Sequence, residues 1–195
     1  VLAFIEGEIV SAKNGVIVLE NKGIGYELNV SNATIAKSNL SDKRIRLHTY
    51  LHMREDSVTL YGFHSQEEKY MFLKLITISG VGPKVAMSIL SGIELSMLVT
   101  AIVTQDIKTL SSVKGIGKKT AERIVLELKE SISLETKDIE DAGVILEDQD
   151  RDTADAVLAL RGLGISQKDA VRAVQKAKGQ AKGIEDLIEK ALKNI

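Results

Sequence analysis

The chain has 195 residues, 44% hydrophobic and 27% charged, with 26 Lys and Arg against 27 Asp and Glu, one Pro, and no Cys or Trp. That length holds one ordinary domain or two to three small ones, and the composition excludes wholesale disorder and a collagen-like fibre. Disulfides and thiolate metal sites are ruled out, and no run approaches the ~18 apolar residues of a membrane span.

The start lacks the basic-then-apolar pattern of a secretory signal, so a cytoplasmic location is expected. The near-zero net charge conceals a contrast. Residues 134–150 carry seven acids and one Lys, which leaves the rest of the chain net positive. Clustered basic groups keep nucleic acid open as a ligand despite the balanced total.

In chain order, β-branched and strand-like runs come first, at about 2–11, 16–20, 24–30, 45–52 and 58–61. Asn14-Gly15 and Asn21-Lys22-Gly23 supply hairpin turns between the early ones. Five short strands in so few residues predict a small closed barrel of OB-like type. From Ser65 the period changes to i, i+3, i+4, which predicts short helices over 66–77, 83–91, 94–104, 106–111 and 118–131. The acidic stretch 134–150, around an isolated Val144-Ile145-Leu146, reads as a solvated linker. Three amphipathic helices follow, at 153–161, 166–177 and 184–194, with Ser166 and Asp169 capping the second.

The helical region contains an internal repeat offset by 35 residues. It pairs Leu75 with Leu110, Ile78 with Val113, Gly80 with Gly115, Val81 with Ile116, and Gly82 with Gly117. The match continues through Lys84 and Lys119, Ala86 and Ala121, and Ile89 and Ile124. Each copy is a helix, a Gly-x-Gly turn with an apolar centre, and a second helix opening at Pro83 or Lys118. Glycine lets the backbone take positive φ and approach a ligand closely. The helix after it presents free N–H groups and a positive dipole end, which suit a phosphate. Lys84, Lys118 and Lys119 add charge, while Val81 and Ile116 plug back between the helices. The pattern matches the helix-hairpin-helix, a sequence-independent binder of the DNA backbone.

Gly115-Ile116-Gly117-Lys118 also invites comparison with a P-loop, but the required first glycine falls on Ser112 and the required Ser or Thr on Lys119. Glu55 and Asp56 lie in the turn between two predicted strands; they are either a solvated tip or a negative separator facing DNA. His48 and His52 point the same way but ~13 Å apart along a strand, too far for one ion. No catalytic constellation stands out, so neither an enzyme nor a cofactor or metal site is expected.

On these residues the chain resembles the RuvA family, the Holliday-junction-binding subunits of the bacterial branch-migration machine. The most specific runs are Arg54-Glu55-Asp56 with Leu60-Tyr61-Gly62-Phe63, then Gly80 to Lys84, and Gly115 to Arg123. The resemblance implies a multidomain α+β fold. An OB barrel would span 1–63, a tandem helix-hairpin-helix domain 64–133, a flexible acidic linker 134–150, and a three-helix, UBA-like, motor-binding module 151–195. It implies a homotetramer, or two tetramers face to face as an octamer, holding a four-way junction open, with Glu55 and Asp56 as an acidic pin at the centre. Gly80, Val81, Gly82, Lys84, Gly115, Ile116, Gly117, Lys118 and Lys119 would grip DNA. Leu160, Leu163 and Ile165 would bind the RuvB hexameric ATPase, where hydrolysis is expected, unless they are simply the module's core. RuvC resolvase is a further implied partner. Two alternatives remain beside this one: a general repair scaffold without junction preference, and a DNA-docking subunit of a nuclease.

Overall fold

The computed structural model describes residues 2–38, 44–140 and 151–195, with side chains up to Lys129 and again from Asp152. Its first part is a closed barrel of β1 (Phe4–Lys13), β2 (Val16–Asn21), β3 (Ile24–Val30), β4 (Ile45–Met53) and β5 (Val58–Phe63), in the order β1-β2-β3-β5-β4. Asn14-Gly15 and Lys22-Gly23 both hold paired positive φ angles, the two-residue turn that matches strand twist. Only β3 and β5 run parallel, joined through Asn29–Tyr61 and Val30–Gly62. Alternating Ile5, Ile17, Leu19, Leu28, Val30 and Leu47 fill the barrel.

A short helix, α1 (Asn32–Lys37), lies between β3 and β4. Its period is too brief to register in the sequence, although Ser31 caps it. The helical part follows as α2 (Gln66–Thr77), α3 (Pro83–Gly92), α4 (Leu95–Val103), α5 (Ile107–Ser111) and α6 (Lys118–Glu140). Three more helices, α7 (Arg151–Gly162), α8 (Gln167–Lys178) and α9 (Ile184–Leu192), complete the chain.

Helix α6 departs from expectation: it runs through Glu140, so the first seven residues of the predicted linker are helical. Glu, Lys and Leu are good helix formers, and acidity by itself does not stop a helix once begun. The rest of that stretch, 141–150, lies outside the described residues.

A second, larger core joins the barrel's lower end to the helices after it. It runs from Tyr61 and Phe63 through Phe72, Leu98 and Ile102 to Leu160 and Ile188. Helices α3 and α4 bend by 102° where they meet, and among the described residues no single helix is long and apolar enough to cross a membrane.

Candidate nucleic-acid interface

The 35-residue repeat is a repeat in atoms as well as letters. Gly80 and Gly115 hold φ of 89° and 92°, which a residue with a Cβ rarely adopts. Ile78 N–H donates to the Leu75 carbonyl at 3.2 Å, and Val113 N–H to Leu110 at 3.3 Å. Val81 N–H donates to Ile78 at 2.9 Å, and Ile116 N–H to Val113 at 3.0 Å. Ala86 and Ala121 close the first helical turns onto Gly82 and Gly117, both at 3.0 Å.

Val81 and Ile116 are buried, and their amides are spent inside the turn. They therefore serve the interface by shaping it, not by facing outward. Geometry leaves the first amides of α3 and α6 without helical acceptors: Gly82, Lys84 and Val85 in one copy, Gly117, Lys118, Lys119 and Thr120 in the other. Neither helix carries an acid in its first turn.

A Cβ built on Gly80, Gly82, Gly115 or Gly117 would meet nothing within 4 Å. At Gly82, with φ −80°, the protein itself has no backbone need for glycine. The bareness of that position serves whatever comes close from outside. Lys84, Lys118 and Lys119 are exposed around these amides. Lys118 pairs with Glu122 at 3.9 Å but keeps 80% of its side chain in solvent, so the pair holds it weakly.

Arg123 of α6 makes a contact beside these turns that the sequence does not announce. It donates from Nη1 to the Ser79 carbonyl, 3.0 Å away in the first turn, and also meets Glu127 at 3.6 Å. A surface arginine six positions after a glycine turn gives no hint of such a partner. The bond ties the second hairpin's helix to the first hairpin's turn.

The acidic residues sit at the tip of the β4–β5 hairpin, closed by Arg54 N–H donating to the Ser57 carbonyl at 2.8 Å. Glu55 and Asp56 are exposed. The neighbouring Arg54 donates from Nε to His52 Nε2 at 3.1 Å. Below the tip, Met53 and Val58 face each other across the strands and are 69% and 67% exposed. Among the described residues no three His, Asp or Glu converge on one point. Burial pushes the His48 imidazole below its ordinary value, helped by Lys69, Arg46 and His64 and opposed by Glu67.

In the carboxy-terminal module the three expected contact residues separate. Leu160 and Leu163 are 0% and 3% exposed and belong to the core that the module shares with the helices before it, so they are not an open apolar surface. The pattern that marks them, apolar residues beside a glycine turn, is the same for a core as for a contact. Ile165 is half-buried and alone of the three reaches solvent. The turn before it lies beside α2: a Cβ added at Gly164 would stand 3.5 Å from the Tyr70 ring.

Three family models match the sequence: "RuvA N terminal domain" over residues 2–62, "SAM-like Helix-hairpin-helix tandem" over 72–130, and "RuvA, C-terminal domain" over 151–195. The Holliday junction branch migration complex subunit RuvA of Acetivibrio thermocellus is 40% identical over 99% of this chain and 98% of its own. Its counterpart in Prosthecochloris aestuarii is 38% identical over the same shares. That of Pseudomonas aeruginosa is 38% identical over 92% of each.

Proposed function

The chain belongs to the RuvA family of Holliday junction branch migration complex subunits, and on that premise we propose that it recognises four-way junctions through the two bare hairpin turns. The observation that carries this reading is their shared geometry: two helix ends with free amides, no first-turn acid, no Cβ in the way, and lysines beside them. Such ends hold phosphate oxygens and ignore base identity, so recognition follows the path of the backbones rather than the sequence.

Four copies around a four-fold axis turn a weak grip into a strong one, because each further arm binds within the assembly. The Glu55–Asp56 tips would meet at the centre, where their unneutralised charge repels phosphates and keeps the crossing strands apart. The protein supplies shape and charge and carries out no bond chemistry; ATP hydrolysis belongs to the RuvB motor. The carboxy-terminal module would recruit that motor around Ile165, with Leu160 and Leu163 supporting the turn from beneath. DNA repair by recombination in the cytoplasm is the setting, with RuvC a further partner.

The test is a gel shift comparing a four-way junction, a duplex of the same sequence and a single strand. Junction preference independent of sequence is expected, and equal affinity for junction and duplex would refute the reading. In the same assay Glu55→Gln with Asp56→Gln keeps or tightens junction binding while altering strand separation. A large loss of affinity there would make the carboxylates structural instead.

A further inference from the structure

Glu68 lies in the first turn of α2, where the barrel passes into the helices, and only 7% of it is exposed. Its carboxylate accepts from the Ser31 hydroxyl, from the Thr34 hydroxyl at 2.7 Å, and from the His64 amide at 3.1 Å. Ser31 and Thr34 belong to the start of α1, at the exit of β3; His64 is at the exit of β5, the returning strand of the acidic hairpin. The His64 amide also reaches Thr34 Oγ1 at 3.1 Å, which closes the network.

The same junction has an apolar partner of a different character. Phe72 of α2 is fully buried beneath the barrel, with ring centroids 4.9 Å from Phe63, 5.2 Å from Tyr61 and 5.4 Å from Tyr50. Apolar burial is strong but non-directional, so a ring in a socket leaves rotation about it cheap. Hydrogen bonds are directional and weaken steeply off axis. A second polar link stands further out, where Asn32 N–H donates to Ser91 Oγ at 3.2 Å at the end of α3. Burying a carboxylate without a cation is costly, and an aliphatic side chain would seal the seam at lower cost. What the carboxylate adds is orientation.

We propose that Glu68 is a positioning residue: its three accepted bonds fix the angle between the barrel that carries the Glu55–Asp56 tip and the helical body that carries the two hairpin turns. Strand β5 enters this node directly from the tip, and α2 leaves it directly for Gly80. A junction needs tip and grips in one fixed relation, whereas a lone duplex needs the grips only. The inference rests on the junction-binding reading above.

The absence of cysteine makes the test clean. Spin labels at Met53→Cys, beside the tip, and Ser88→Cys, on the exposed side of α3, report the angle as a distance distribution, with labelled chains diluted into unlabelled protein. Glu68→Ala is expected to broaden that distribution and to lower junction-over-duplex preference at least about tenfold, with duplex affinity held within about twofold. Glu68→Gln, which keeps an acceptor, recovers most of both. Phe72→Leu is the control: it lowers the melting temperature through the same seam and leaves the preference in place.

A sharp distribution with full preference in Glu68→Ala overturns the proposal. So does a broadened distribution with full preference, because the angle would then not matter. Should Glu68→Ala fail to fold, Thr34→Val removes one donor at similar volume and must move both readouts the same way by less; no movement in either counts against the proposal. Loss of the junction reading itself is recognised separately, as wild-type protein that binds junction and duplex alike while the distances still report the latch.

Discussion

The turn into α8 resembles the two hairpin turns in its positive-φ glycine but differs in its bonds and in what surrounds it. Ile165 N–H donates to the Leu160 carbonyl, where Val81 and Ile116 donate to Ile78 and Val113. Gly164 holds φ of 84°, close to Gly80 and Gly115. Lys168 stands four residues on, as do Lys84 and Lys119, and Ala170 N–H closes onto the Ser166 carbonyl at 2.8 Å, as Ala86 and Ala121 do onto their glycines. Yet Ser166 fills the cap position and accepts from Asp169 N–H, which places a carboxylate in the first turn of α8. A Cβ added at Gly164 would stand against the Tyr70 ring, whereas one at Gly80 or Gly115 would meet nothing. Backbone shape therefore does not make an anion site. What decides is whether the free amides and positive dipole are left open or are already answered by a side chain.

Transplanting the third cap into the second turn breaks the comparison most sharply. Gly117→Ser with Thr120→Asp satisfies the start of α6 internally, so stability holds or rises by a few tenths of a kcal/mol. Junction affinity falls at least about a hundredfold, since roughly 1 kcal/mol is lost at each of several hairpins that act together. Melting curves and gel shifts on one preparation measure both. Retained binding would place the amides off the DNA.

A milder intervention takes the charge and leaves the amides. Lys118→Ala with Lys119→Ala should lower the slope of log affinity against log salt by about one for each phosphate left unneutralised. Titration at several salt concentrations reads this directly, and an unchanged slope would remove these lysines from the interface. The corresponding Lys168→Ala in the capped turn leaves the slope where it was.

Alanine at the glycines sharpens the contrast between need for space and need for φ. Gly82→Ala, at φ −80° with open space beyond, leaves folding unaffected and weakens DNA binding. Gly164→Ala, at φ 84°, costs about 1 kcal/mol of stability and leaves DNA binding alone. Thermal unfolding and binding of the pair should cross over; a parallel response would erase the distinction.

The smallest effect is a pH dependence away from all three turns. The folded state holds His48 below its ordinary value, chiefly by burial, so the unfolded chain binds the proton more readily. Stability is therefore complete above the unfolded value near 6.5 and declines as pH falls through it toward the lowered folded value. His48→Asn removes that part of the decline, visible in denaturant midpoints taken between pH 5 and 8. Equal profiles for the two proteins would assign the decline to other groups.

Local chemistry is legible in the sequence and distant contact is not. Asn14-Gly15, the strands around it and the paired glycine turns each announce themselves within a few residues, and each stands where the pattern puts it. Glu68 carries no such announcement: its donors, at the start of α1 and just past β5, are named only by folding. Leu160 and Leu163 are the converse case, because an apolar side chain is written identically whether a neighbour covers it or not. Arg123 and Tyr70 belong with them: their partners, Ser79 and Gly164, are 44 and 94 positions away in the chain.

Two independent clamps would each settle on whatever backbone curvature they found. The bond from Arg123 to Ser79 links one hairpin to the other. If both hairpins grip DNA as proposed, the tandem would work as a calliper. On the proposed reading it would gauge the groove of a DNA arm while holding it, without a single base being read.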